Sequence, residues 1–186
     1  MKGKRTGIEF NDYKVTVTEQ EGLLVHFLKK PNTICGCIKY INTNGIMAVT
    51  GDYGNWIFCR EFHPSAQDNA VSDSYWNEKL QIASSQEPME FDPKATKERI
   101  IELLKNEEGE DDLTRAEKNY LRGCLAQVDC GQYDYEQQAH GESCGRFTGE
   151  YVPCCHKTKY WLLVIYDGFE EICRRMKEGP SEKERS

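Results

Sequence analysis

Residues Ile34–Phe62, ICGCIKYINTNGIMAVTGDYGNWIFCREF, decide how the rest of this chain must fold. Asn44-Gly45 stands between two runs rich in β-branched and aromatic residues. Both central positions of a type I′ hairpin turn need positive φ, which Asn and Gly tolerate. Ile34–Asn42 and Ile46–Thr50 are therefore expected to pair antiparallel. Gly51-Asp52-Tyr53-Gly54 supplies a second turn, after which Trp56–Phe62 returns along its neighbour. In that last strand Trp56, Phe58, Arg60 and Phe62 share one face, and Ile57, Cys59 and Glu61 the other. The heavier face should meet the helices.

Upstream, Tyr13–Thr18 alternates as YKVTVT, Glu19–Gly22 reads as a turn, and Leu23–Lys29 as the returning strand. Leu23, Val25 and Phe27 are expected towards the core, with His26 and Lys30 towards the other side. The whole is a meander of about five strands. Met1–Asp12 lacks periodicity and reads as a flexible arm.

Downstream, His63-Pro64 ends the ladder, because proline donates no backbone hydrogen bond. Ser72–Ala83 carries two signals. Asp73 or Ser74 would cap a helix bearing Trp76, Leu80 and Ala83 on one stripe, whereas Lys79–Ala83 alone alternates like a strand; the helix is favoured. Asp92-Pro93 opens a second helix that stops before Gly109. Thr114 with Glu117 forms a capping box for a third, running to about Val128. These two should form a helical hairpin with the acidic run of residues 107–112 at its exposed tip. Asp129–Pro153 has weak patterning, with a turn or two of helix through Tyr135–His140. Lys157–Lys177 is the strongest helix, with Trp161, Ile165, Phe169, Ile172 and Met176 on one face. Gly168 inside it points to close packing on another backbone. The expected class is α+β: an N-terminal antiparallel β-meander packed by three to five C-terminal helices. The expected layout is a single domain over residues 13–178, with 13–62 as sheet, 72–178 mainly helical, and 179–186 as a disordered tail.

A chain of 186 residues can bury a sufficient core without disulfide or metal staples. No apolar run approaches the length of a membrane span, and the N-terminus lacks the apolar stretch of a signal peptide. A cytoplasmic location is therefore expected. The nine cysteines then read as free thiols in a reducing compartment. A net charge of −7 argues against direct nucleic-acid binding as the main mode.

Cys130, His140, Cys144, Cys154, Cys155 and His156 fall in one loop-rich region, but without the short CxxC or HxxxH pairs that nucleate structural zinc sites. Free thiols are the preferred reading, no metal or cofactor is predicted, and metal binding by Cys130, Cys144, Cys154, Cys155 and His156 stays an open question. Cys35-x-Cys37 is a weaker candidate still. No motif sets a nucleophile beside a base, and the glycines near Gly51 and Gly54 lie in a hairpin turn rather than a phosphate-binding loop. No catalytic residue is assigned. The candidate partner-binding residues are Glu107, Glu108, Glu110, Asp111 and Asp112. They are read either as a solubilising tip or as phosphate-like charge offered to a basic groove on another protein.

Three stretches carry a resemblance: INTNGIMAVTGDYGNWIFCREFHPS, SDSYWNEKLQIASSQEP and YWLLVIYDGFEEICRRMKE. Together they resemble a family of short accessory proteins carried by phages and prophages of gut bacteria. The resemblance implies a counter-defence role in the bacterial host cytoplasm: stoichiometric inhibition of the type II CRISPR effector Cas9 with its guide RNA, without enzymatic chemistry. The alternatives are a phage enzyme of nucleic-acid or nucleotide metabolism and a DNA-binding accessory protein using the basic stretches Met1–Arg5 and Arg174–Lys177.

Overall fold

The computed structural model describes residues 3–64, 71–83, 87–105, 113–141, 144–147 and 153–178. In chain order the strands are β1 (Lys14–Gln20), β2 (Leu23–Lys29), β3 (Cys37–Thr43), β4 (Ile46–Gly51), β5 (Trp56–Phe58), β6 (Leu80–Ala83), β7 (Met89–Phe91) and β8 (His156–Thr158). The helices are α1 (Asp73–Lys79), α2 (Pro93–Lys105), α3 (Arg115–Gln127), α4 (Gln132–Gly141) and α5 (Tyr160–Glu178), with a 3₁₀ turn over Val128–Cys130. The arrangement is α+β, as expected. It forms two compact units, one built from residues up to Pro88 and from Thr158 onward, the other from Met89–Lys157.

The first unit is a six-stranded sheet in the order β1-β2-β3-β4-β5-β6, each strand antiparallel to the next. The type I′ turn forms where expected, with Asn44 at φ 49° and Gly45 at φ 82°. The expected strand over Ile34–Asn42 starts only at Cys37, and Ile34 is almost wholly exposed. The last expected strand is shorter too. It ends at Phe58, although Phe62 remains fully buried.

The sixth strand corrects the reading of residues 72–83 as one helix. Ser72, not Asp73 or Ser74, caps α1 by accepting the Tyr75 N–H, and the chain turns extended at Leu80 to pair with β5. A sheet edge offers a row of unpaired N–H and C=O groups. Pairing LQIA with that edge wins over one more helical turn, while Trp76 stays buried in the core.

A second correction concerns β2. His26 lies opposite Tyr40, and Leu28 opposite Ile38. Tyr40 and Ile38 are core residues, so His26 and Leu28 face inward and are buried, while Val25 and Phe27 are half-buried on the other side. Side-chain parity in a sheet is common to directly paired residues. The run LLVHFL is apolar on both faces, so its own alternation could not decide. On the outer face Lys39 Nζ stands 5.3 Å from the centre of the Phe27 ring.

Helix α5 covers the inner face. Leu162, Ile165, Phe169 and Ile172 are buried, whereas Trp161 and Met176, expected on the same stripe, are about half exposed. Gly168 marks a close approach, but to side chains rather than to a backbone: a Cβ there would lie 2.7 Å from Tyr40 Oη and 2.9 Å from Ile38 Cδ1. Tyr40 Oη in turn donates to the Ile165 carbonyl at 2.7 Å. Trp76 is stacked between Phe62, with ring centroids 4.0 Å apart, and Tyr166, at 4.9 Å.

The segment read as a loose arm is tied down from Gly3 onward. Buried Asp167 accepts the Thr6 N–H at 2.8 Å, the Thr6 hydroxyl at 2.7 Å and the Arg5 N–H at 3.1 Å. Phe10 is fully buried, and Arg175 donates to the Phe10 and Tyr13 carbonyls.

The second unit has its own core of Ile100, Tyr120, Leu121, Cys124, Val128, Tyr135 and Phe147. Asp92 starts α2 by accepting the Ala95 N–H at 3.1 Å. The capping box is present at α3: Glu117 N–H donates to Thr114 Oγ1, and the Glu117 carboxylate accepts the Thr114 N–H. Helix α4 is longer than the turn or two expected over Tyr135–His140. Among the described residues no helix is long and apolar enough to cross a membrane.

Candidate functional site

The acidic run that the sequence singles out, Glu107, Glu108, Glu110, Asp111 and Asp112, lies outside the described residues. Among the described residues, a cleft in the first unit and a Cys–His–Glu cluster in the second each bring together polar side chains.

In the first unit an open cleft of about 490 Å³ lies where the β1–β2 and β3–β4 turns come together. Its lining includes Glu19, Gln20, Asn42, Asn44, Glu61 and His63. Backbone pairing positions them. Asn42 Nδ2 donates to the Phe62 carbonyl at 2.7 Å, and the Phe62 N–H returns a bond to Asn42 Oδ1 at 3.2 Å. This clamp, with the buried Phe62 ring, fixes the two residues on either side. Glu61 Oε1 accepts the Gly45 N–H at 3.0 Å, and Glu61 Oε2 lies 2.9 Å from His63 Nε2. The Gly45 amide, followed by His63, holds the Glu61 carboxyl below its ordinary range.

A carboxylate that orients an imidazole is half of an acid–base apparatus. Among the described residues the lining includes no Ser, Thr or Cys to serve as nucleophile. Two carboxylates, with the amides of Gln20 and Asn44, instead suit a cationic or hydrogen-bonding group from a partner. His26, near enough to His63 to feel its charge, is buried with Nδ1 lacking a hydrogen-bond partner. Burial, and secondarily the neighbouring His63, push its pKa down to about 4, so it is neutral at pH 7.

In the second unit the structure brings together part of the expected cysteine–histidine grouping. Cys154, His156 and Glu136 place one ligand atom each within 4.8 Å of one another, and Cys154 Sγ is 4.0 Å from His156 Nε2. The connecting chain is pinned on both sides. The Tyr135 hydroxyl donates to the Pro153 carbonyl, Cys155 N–H to Thr96 Oγ1 at 3.0 Å, and Asp92 N–H to the Cys155 carbonyl at 2.8 Å. Phe91 stacks on Tyr135 and meets the His156 ring edge-on. Glu136 projects from α4, with Oε1 held by Gln132 Nε2 at 2.8 Å. Burial, then Glu136 and Cys155, push the Cys154 thiol up.

Among the described side chains, no other member of that grouping joins the triad. Cys130 is exposed at the end of the 3₁₀ turn, and Cys144 pairs through its backbone with Phe147. The side chain of His140 lies outside the described residues. Cys35 is exposed ahead of β3, not within a strand alongside Cys37. Glu136 is the residue that the sequence reading missed. It lies in a different element from Cys154, and no local spacing ties a helical carboxylate to the later Cys-x-His.

The chain matches no protein-family model, no curated protein and no solved structure.

Proposed function

We propose that this chain is a phage counter-defence protein that binds a CRISPR effector of the Cas9 type stoichiometrically and blocks DNA loading or cleavage. The observation that carries the reading is the acid-lined cleft of the first unit, with Glu19 and Glu61 beside the amides of Gln20, Asn42 and Asn44. Four of its lining residues, Asn42, Asn44, Glu61 and His63, belong to the first stretch that carries the phage-family resemblance. Effectors of this kind hold nucleic acid in positively charged channels. An acidic protein presenting such a cleft, together with the run Glu107, Glu108, Glu110, Asp111 and Asp112, is complementary to them.

The arginines support the same choice over direct DNA binding. Arg5 bonds Asp73, Asp167 and Glu170; Arg174 bonds Glu171 and Glu178; Arg175 bonds Glu171. The arginines of the two basic stretches are thus matched by carboxylates within the unit, and the net charge of −7 stands behind them. Phosphate binding would have to break those pairs.

Purified protein titrated into guide-loaded Cas9 and target DNA tests this. The expected result is loss of cleavage near equal molarity and co-elution on a sizing column, weakened by Glu19→Lys with Glu61→Lys or by Glu108→Lys with Asp111→Lys. Absence of both inhibition and complex overturns the reading. Inactivation far below equal molarity replaces it with an enzyme.

A further inference from the structure

We propose that Cys154 Sγ, His156 Nε2 and a carboxylate oxygen of Glu136 form a binding site for a zinc-class divalent cation. The site lies within the second unit and does not depend on the identity of any partner. Among the described residues it is the one place where three such donors converge.

The donor set selects the ion class. A thiolate and an imidazole favour zinc over the hard, oxygen-seeking cations, and a carboxylate completes a common zinc coordination set. Geometry agrees. With metal–ligand bonds of about 2.0–2.3 Å, tetrahedral coordination sets ligand atoms roughly 3.3–3.7 Å apart. The observed Cys154–His156 separation of 4.0 Å, within a triad spanning at most 4.8 Å, needs only small side-chain rotations to close.

The backbone that carries the donors is already fixed. Cys154 and His156 flank Cys155, whose N–H and carbonyl are both bonded to the start of α2 and the residue before it. The two flanking side chains point to the same side, with Cys154 Sγ 4.0 Å from His156 Nε2. Gln132 engages one oxygen of Glu136 and leaves the other for the ion, in the manner of the outer-shell partners that orient metal ligands. Coordination displaces the Cys154 thiol proton to bulk water, and the dication then balances thiolate and carboxylate side by side. His156 is exposed, and the described residues supply three of the four donors that a zinc-class ion takes.

Cobalt serves as the probe. Full-length protein stripped with chelator and titrated with Co²⁺ should bind one equivalent, showing a thiolate-to-cobalt charge-transfer band and the intense visible bands of four-coordinate cobalt, both displaced by Zn²⁺. Cys154→Ser should abolish the charge-transfer band and weaken Zn²⁺ binding by more than the ~10–100-fold typical of losing an outer-shell partner. Cys130→Ser should leave both unchanged. Glu136→Gln and His156→Gln, checked for folding by circular dichroism, should each weaken binding and shift the visible bands, and they carry the test if Cys154→Ser does not fold. Absence of the charge-transfer band in the unaltered protein, its survival in folded Cys154→Ser, or unaltered affinity in both Glu136→Gln and His156→Gln would overturn the assignment.

Discussion

The two units solve the same problem by different means. The first buries a sheet face under one long helix, with Trp76 stacked between Phe62 and Tyr166 and with Tyr40 reaching the α5 backbone. The second builds a smaller core from short helices and ties their connections together by side-chain bonds to backbone. Thr114 and Glu117 cap α3, Glu117 also accepts the Arg146 N–H, and Tyr135 and Thr96 hold the chain on either side of Cys154. Aromatic area dominates one, and termini and loops clamped by hydrogen bonds dominate the other. All three tryptophans, Trp56, Trp76 and Trp161, belong to the first unit, so tryptophan emission reports on it alone while far-ultraviolet circular dichroism reports on both.

The largest effect should come from Trp76→Ala. Truncating a fully buried, stacked indole costs about 3–5 kcal/mol. Denaturant unfolding followed by tryptophan emission should shift to much lower midpoint; an unchanged midpoint would show that the stack contributes little.

Acid should then separate the units. His26 is held neutral with its pKa lowered to about 4, so its contribution is fully present above the ordinary histidine value and is lost as pH falls from about 6.5 towards 4. The loss is on the order of 3 kcal/mol, and His26→Leu should abolish it in emission-monitored unfolding. Glu117 behaves as a depressed carboxylate in the other unit. The Arg146 amide, then the Thr114 amide and hydroxyl, bring its pKa down to about 2, so its contribution holds above the ordinary glutamate range and fades as pH falls towards 2. Coincident acid transitions by emission and circular dichroism would contradict this separation.

Gly168→Ala comes next. Alanine gains about 1 kcal/mol of helix propensity, but its methyl would press on Tyr40 Oη and Ile38 Cδ1. Overpacking of this kind costs about 1–3 kcal/mol, so a net destabilisation is expected in the emission-monitored transition. A stabilised variant would mean that Tyr40 can move without losing its bond to Ile165. The smallest effect belongs to Thr114→Ala, about 1 kcal/mol from the lost cap. It should appear in circular dichroism and leave the tryptophan transition in place.

Elements whose signals are local could be read directly along the chain. Asn44-Gly45 set the hairpin because only such residues accept two positive φ angles in succession, Asp92-Pro93 and the Thr114–Glu117 box set two helix starts, and the apolar stripe of α5 announced a buried helix. Tertiary structure alone decided the rest, because each remaining choice depended on a partner distant in sequence. The parity of β2 came from its pairing with β3, which turned His26 inward. The end of α1 came from the open edge of β5, which drew Leu80–Ala83 into the sheet. The N-terminal segment was ordered by Asp167 on α5, and the Cys154–His156 pair acquired Glu136 only because Tyr135, Thr96 and Asp92 hold that connection against its own unit. Local spacing encodes backbone conformation; convergence of side chains from separate elements is set by packing, and no short stretch of sequence contains it.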